Sequence, residues 1–186
     1  MQEMIEHAGF KEEAQIIIPA VANRMSKLPF AEPSEEVRVQ LISFLDACLE
    51  ADKEQFVLHL GPVCKMLGNA LTDPNPEMKI TAAKFASHLA QALEKRVGGY
   101  FRMAADSMVG NLSHQHSKVR KQTLIGLKEV LACKGAEAFF EHNMQQLKFT
   151  MNDRSQDVRS QFYQVLFHWM QNVELSYLKV YEASFV

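Results

Sequence analysis

Cysteine, glycine, proline and tryptophan are all scarce in this chain of 186 residues, which has three Cys, eight Gly, six Pro and one Trp. Cys48, Cys64 and Cys133 are odd in number and far apart, which argues against a disulfide framework and for a reducing compartment. So little Gly and Pro excludes collagen-like and low-complexity chains. Neither sign of charge is in excess. Twenty Lys+Arg against 22 Asp+Glu leave a net charge of −2, so nothing draws the chain to phosphate backbones or to an anionic bilayer. Long hydrophobic runs are missing too. The most apolar stretch, residues 16–22, contains Pro19 and stops at Asn23-Arg24, far short of the roughly 20 residues a bilayer requires. Glu3, Glu6 and His7 stand where a secretory signal would be basic and then apolar. With 47% hydrophobic residues, the expectation is a soluble intracellular protein with a sizeable core.

What is present is a repeat. An apolar residue followed by a basic one opens four similar segments: Val37-Arg38, Met78-Lys79, Val119-Arg120 and Val158-Arg159. The spacings are 41, 41 and 39 residues, a period of helical-hairpin arrays. Counted from each apolar anchor, offset +4 holds Leu41, Ala82, Thr123 and Phe162, and offset +8 holds Leu45, Ala86, Leu127 and Leu166. Offset +11 holds Cys48, Leu89, Val130 and Trp169, and offset +12 holds Leu49, Ala90, Leu131 and Met170. These offsets form one stripe of a 3.6-residue helix, and no alternation of period two is sustained.

Each anchor is preceded by a second helical pattern, at about 10–27, 54–72, 97–112 and 136–151. Turn chemistry separates the two. Asp73-Pro74-Asn75-Pro76 cannot continue a helix, Asn152-Asp153 offers oxygens to free N–H groups, and Ser34 with Glu35 and Glu36 reads as a helix start. Gly98-Gly99 and Gly135 mark the breaks between hairpins. The fold expected is all-α, an α-solenoid of about four hairpins (about 10–50, 54–95, 97–134 and 136–172) forming a single array over 1–186. Residues 173–186 look like the unpaired first helix of a fifth repeat, leaving Leu175, Leu178 and Phe185 uncovered. The chain then reads as a segment of a longer array, with docking of that open helix onto a partner, or end-to-end onto a second copy, as the alternative.

Candidate chemistry is thin. His114-x-His116 and Glu141-His142 invite a metal reading, but no four ligands share the spacing a zinc site needs, and the turn histidines read as caps. His114 occupies the repeat position of Asp73 and Asp153. Cys48 falls on the core stripe, while Cys64 and Cys133 have no histidine at useful spacing. Gly98-Gly99 lacks a phosphate-loop context. No catalytic residue, cofactor or metal is expected. Met66, Met78, Met103, Met144 and Met170 read as core filler.

Two columns remain. Arg38, Lys79, Arg120 and Arg159 form a cationic ladder expected to bond turn carboxylates or carbonyls of adjacent repeats, with Asp73 and Asp153 as acceptors. On the other face of the second helices, Gln40, Thr81, Gln122 and Gln161 share offset +3. His88, Glu129 and His168 share +10, and Lys84 and Gln164 share +6. In a solenoid whose second helices line the concave side, this ridge forms a mostly uncharged groove, which is either a seat for an extended segment or helix of a protein client or simply a solvated helix face without a large aromatic anchor.

The turn with Asp153 ahead of Val158-Arg159 resembles the HEAT repeat. The blocks Leu112-Ser113-His114-Gln115-His116-Ser117-Lys118-Val119-Arg120 and Asn152-Asp153-Arg154-Ser155-Gln156-Asp157-Val158-Arg159 resemble the HEAT-repeat dynein axonemal assembly factor family, a likeness covering roughly 86–186. That resemblance implies a non-enzymatic cytoplasmic scaffold in ciliated or flagellated cells, needed to preassemble axonemal dynein arms. The partners it implies are dynein chains, the intermediate chains among them, and chaperone machinery, with no nucleic acid and no membrane. The alternatives are a HEAT adaptor of nuclear-transport or phosphatase type, or an enzyme on HEAT repeats, such as a metal hydroxylase or a DNA-lesion glycosylase.

Overall fold

The structure, a computed structural model, describes residues 10–93 and 96–179. Among them are nine α-helices and no strand: α1 Phe10–Met25, α2 Glu35–Ala51, α3 Glu54–Val57, α4 Leu60–Ala70, α5 Pro76–Leu93, α6 Arg102–Asn111, α7 Ser117–Val130, α8 Glu137–Phe149 and α9 Gln156–Asn172. Short 3-10 turns lie at Gly98–Tyr100, Thr150–Asn152 and Leu175–Leu178. No helix among the described residues is long and apolar enough to cross a membrane.

The helices form two layers. First helices pack in the order α1, α4, α6, α8, and second helices in the order α2, α5, α7, α9, each touching the next. This is the α-solenoid that the period of about 40 residues predicts. The core runs between the layers. Offsets +8 and +11 (Leu45, Ala86, Leu127, Leu166; Cys48, Leu89, Val130, Trp169) are all buried.

Several expectations need correction. The first helix of the second hairpin is interrupted, running as α3 and then α4. Pro62 has no N–H for the Leu58 carbonyl, and its ring crowds that oxygen, so the helix restarts at Leu60 with Pro62 in its first turn. Val37 is 42% exposed and Leu41 half-buried, because no second helix precedes α2 among the described residues. Met103 and Met170 are exposed, not core. Met103 lies across the outer surface of Gly68, where an added Cβ would meet its side chain at 2.6 Å. Met170 lies near the end of the last second helix among the described residues. Leu178 is buried, not uncovered, because the Leu175–Leu178 turn folds back onto α8. The rest of the expected terminal helix, Phe185 included, lies outside the described residues, as do the side chains of Glu141, His142, Met144 and Leu175.

Candidate functional site: the turn ladder and the second-helix ridge

All four hairpin turns are built alike. The residue five before each anchor accepts a hydrogen bond from the backbone N–H two residues on. Ser34 N donates to Glu32 Oε1 at 3.0 Å, Asn75 N to Asp73 Oδ1 at 2.8 Å, His116 N to His114 Nδ1 at 3.1 Å and Ser155 N to Asp153 Oδ1 at 2.8 Å. An imidazole nitrogen thus does at the third turn what a carboxylate does elsewhere, satisfying an amide that the incoming helix leaves free.

The cationic column ties these turns together. Arg38 donates from Nε to Asp73 Oδ2 at 2.8 Å and from Nη1 to the Glu32 and Pro33 carbonyls at 3.0 Å. Arg120 repeats the fork, with Nε and Nη2 each 2.7 Å from Asp153 and Nη1 on the His114 and Gln115 carbonyls. The Arg120 hydrogen bonds hold the Asp153 carboxyl below its usual range, against the opposing effect of burial. The other two rungs differ. Lys79 faces His114 in place of an aspartate, so its Nζ donates to the Leu71 carbonyl at 2.8 Å and to Asn111 Oδ1 at 3.0 Å. Burial lowers its pKa, partly offset by Asp73. Arg159 donates back to the Asp153 carbonyl at 2.6 Å and meets no carboxylate among the described residues.

On the ridge, Gln40, Lys84, His88 and Gln164 are exposed, and Thr81, Gln122, Glu129, Gln161 and His168 are half-buried. Its character departs from the uncharged groove expected. His88 Nδ1 sits 2.9 Å from Asp46 of the preceding second helix. Glu129 is 2.8 Å from Lys128 Nζ and 4.0 Å from His168 Nε2. His88 meets Asp46 because offsets +10 and +9 of successive helices abut, Glu129 meets His168 across their shared offset +10, and Lys128 is the neighbour of Glu129 on α7 itself. Burial lowers the pKa of His168, with Glu129 opposing and Lys128 assisting. Beneath this end of the ridge lies a cleft of about 350 Å³, lined by Ala90, Gln91, Glu129, Ala132, Cys133, His168 and Asn172. Gln91, Asn172 and Asp46 escape a reading by single-offset columns; the alternation of charge between neighbouring columns is the signal that finds Asp46.

Cys48, Cys64 and Cys133 are all buried. Burial pushes the Cys48 thiol up to about 11 and Cys64 to about 12, where little nucleophilic thiolate forms at neutral pH. Among the described residues no three His, Cys, Asp or Glu side chains converge as metal ligands would.

A long array of this repeat, with a charged ladder on one edge and no clustered chemistry among its described residues, is matched from residue 1 to 178 by the family model described as "Dynein axonemal assembly factor 5-like, TPR repeats". The chain belongs to that family. It is 30% identical over 121 residues to Dynein axonemal assembly factor 5 of Xenopus laevis, over 62% of this chain and 14% of that protein. The Mus musculus and Homo sapiens proteins of the same name are each 30% identical over 112 residues, 56% of this chain and 13% of theirs. The chain therefore matches a small part of the length of these relatives. The family description speaks of TPR repeats, whose period is about 34 residues. The anchors of this chain recur nearer the roughly 40 of HEAT hairpins, so HEAT-type describes its geometry.

Proposed function

We propose that this chain is a non-enzymatic interaction scaffold acting in the cytoplasmic preassembly of axonemal dynein arms, and that its second-helix ridge is the surface that receives a protein client. The observation that carries the reading is the pairing of family membership with architecture. A family model of dynein axonemal assembly factors spans residues 1–178, and exposed or half-buried polar side chains recur at shared offsets of the second helices. Gln122, Gln161 and Gln164 can donate and accept at once, which suits an extended client segment whose own amide groups need partners. The family gives protein clients priority over a transport or phosphatase adaptor, over nucleic acid and over a HEAT-based enzyme.

The test is affinity capture from ciliated-cell cytoplasm, followed by mass spectrometry. Dynein heavy and intermediate chains are expected with the native protein and strongly reduced with Gln122→Ala/Gln161→Ala/His168→Ala, whose circular dichroism should match the parent. Equal recovery by both proteins would dismiss the ridge; no dynein chain with either would dismiss the assembly reading.

A further inference from the structure

The second helices differ in charge. α2 carries Glu35, Glu36, Asp46 and Glu50 against Arg38 alone, whereas α7 carries Lys118, Arg120, Lys121 and Lys128 against Glu129 alone. α5 and α9 lie between these extremes, α5 with Glu77 against Lys79 and Lys84, and α9 with Asp157 against Arg159. The ridge these helices build is therefore polarised, acidic over α2 and basic over α5 and α7.

Part of the basic charge is taken up within the array. Arg120 bonds Asp153, Lys79 bonds the Leu71 carbonyl and Asn111, and Lys128 lies 2.8 Å from Glu129. Lys84, Lys118 and Lys121 are different. The first two are exposed and the third half-buried, and none of them meets a carboxylate among the described residues. Lys118, Lys121, Ile125 and Lys128 share one face of α7 at helical spacing, with half-buried Ile125 in their midst. Lys84 stands at the offset of Ile125 on α5, the helix packed beside α7. Glu77 and Asp157 lie in the first turns of α5 and α9, where each faces the positive end of its own helix dipole. No acid stands in the first turn of α7, so its dipole adds to Lys118 and Lys121.

We propose that the client segment seated on the ridge is acidic, with Asp or Glu side chains over Lys84, Lys118 and Lys121 and an apolar side chain over Ile125. This rests on the ridge being the client surface, and it names the chemistry that surface selects. Lysines without carboxylate partners, set around one apolar contact, favour a carboxylate-bearing chain and repel a basic one. A nucleic acid, anionic along its whole length, would also run against the carboxylates of α2. A polypeptide can confine its acid to α5 and α7.

Fluorescence anisotropy tests this with a labelled peptide of glutamates carrying leucines spaced as on one helix face. The native chain should bind it at low salt and release it between about 0.1 and 1 M, as the Debye length shrinks from about 10 to 3 Å. Lys84→Glu/Lys118→Glu/Lys121→Glu should weaken binding roughly tenfold. Lys27→Glu/Lys53→Glu/Lys65→Glu makes the same change of charge away from the second helices and should leave binding as it was. Equal losses from both variants would mean that only net charge is felt, and would overturn the proposal. So would a native chain that ignores the peptide. A labelled single-stranded RNA that binds more tightly than the peptide, and is lost with the same ridge variant, would overturn it by marking a nucleic-acid surface. If the ridge variant loses the parental circular dichroism, Lys84→Gln/Lys118→Gln/Lys121→Gln takes its place, with a loss of roughly threefold. Dynein capture separates this proposal from the client reading. Recovery lost with Gln122→Ala/Gln161→Ala/His168→Ala but kept with the lysine reversal would leave the ridge a client surface and overturn its preference for acid. Recovery lost with the lysine reversal alone would support the acidic contact and dismiss the glutamine and histidine part of the ridge.

Discussion

Arg120 and Asp153, 33 residues apart, meet through two parallel hydrogen bonds of 2.7 Å that tie the third hairpin to the fourth. Their side chains are 5% and 9% exposed, so the pair is shielded enough for its loss to be felt. Asp153→Ala would leave the guanidinium with only its two carbonyl bonds and the Ser155 amide uncapped. We expect a loss of about 3 kcal/mol, the low end for breaking a buried pair because those carbonyls still hold the cation. For a chain of this size that lowers Tm by roughly 6–12 °C. The folded Asp153 carboxyl titrates below its unfolded value. Its stabilisation is therefore complete above about pH 4 and lost as pH falls through the depressed value. Thermal melts should show a constant gap between variant and parent from neutral pH to about pH 5, closing in stronger acid.

The fourfold stack was legible because the repeat writes its period twice, in the anchors at 37, 78, 119 and 158 and in the apolar offsets behind them. The carboxylate-to-cation rungs were legible for the same reason, since a residue type recurring at one offset is brought to one edge. What stayed hidden depends on the neighbour and not on the residue. Met170 shares its offset with Leu49, Ala90 and Leu131 but is exposed because no described second helix packs beside α9 as one does beside each of the others. The His88–Asp46 and Glu129–His168 contacts needed the register of adjacent helices, which no single-chain periodicity supplies. The break between α3 and α4 was readable from Pro62, had its missing amide been counted against the Leu58 carbonyl.

The third turn carries the array's one histidine rung, and it should be the acid-sensitive one. His114 Nδ1 must stay unprotonated to accept the His116 amide. Burial lowers its pKa, and so do the charges of Lys79, His116 and Arg120 around it. A histidine depressed in the folded state binds its proton first in the unfolded chain. Stability is then full above about pH 6.5 and declines as pH falls below that value. His114→Asp keeps the acceptor and gives Lys79 a carboxylate. We expect it to be more stable than the parent by roughly 0.5–1 kcal/mol at neutral pH, with an advantage that widens as pH drops to about 5.5. Urea midpoints at both pH values check this; an advantage that shrinks on acidification would remove His114 as the sensitive group.

Gly98 and Gly99 are adjacent and alike in sequence but not in surroundings. A Cβ on Gly98 would come within 2.0 Å of the Lys134 carbonyl oxygen, where backbone meets backbone, whereas one on Gly99 would meet nothing within 4 Å. The close approach lets two successive inter-hairpin links stack, the second of them turned by Gly135 at φ +92°. Gly98→Ala should cost about 2–3 kcal/mol through the backbone shift it forces. Gly99→Ala should stay within roughly 0.5 kcal/mol of the parent, as surface changes do. Denaturant titration of the pair decides it, and equal effects would mean that the two links do not meet as closely as drawn.

Trp169 is the only tryptophan, is fully buried, and donates from Nε1 to the Lys128 carbonyl at 3.0 Å across the α7–α9 junction. Its fluorescence therefore reports that junction, while circular dichroism reports the whole helical stack. In a quasi-linear array the energy of a lesion stays with neighbouring repeats. Asp73→Ala, which unties Arg38 at the α2–α5 junction, should move the circular dichroism midpoint to lower denaturant and leave the Trp169 midpoint nearer that of the parent. Asp153→Ala should move both together, because it strikes the junction that the indole watches. Coincident transitions in Asp73→Ala would show that the four hairpins unfold as one cooperative block, with coupling between repeats stronger than the ladder rungs that decorate it.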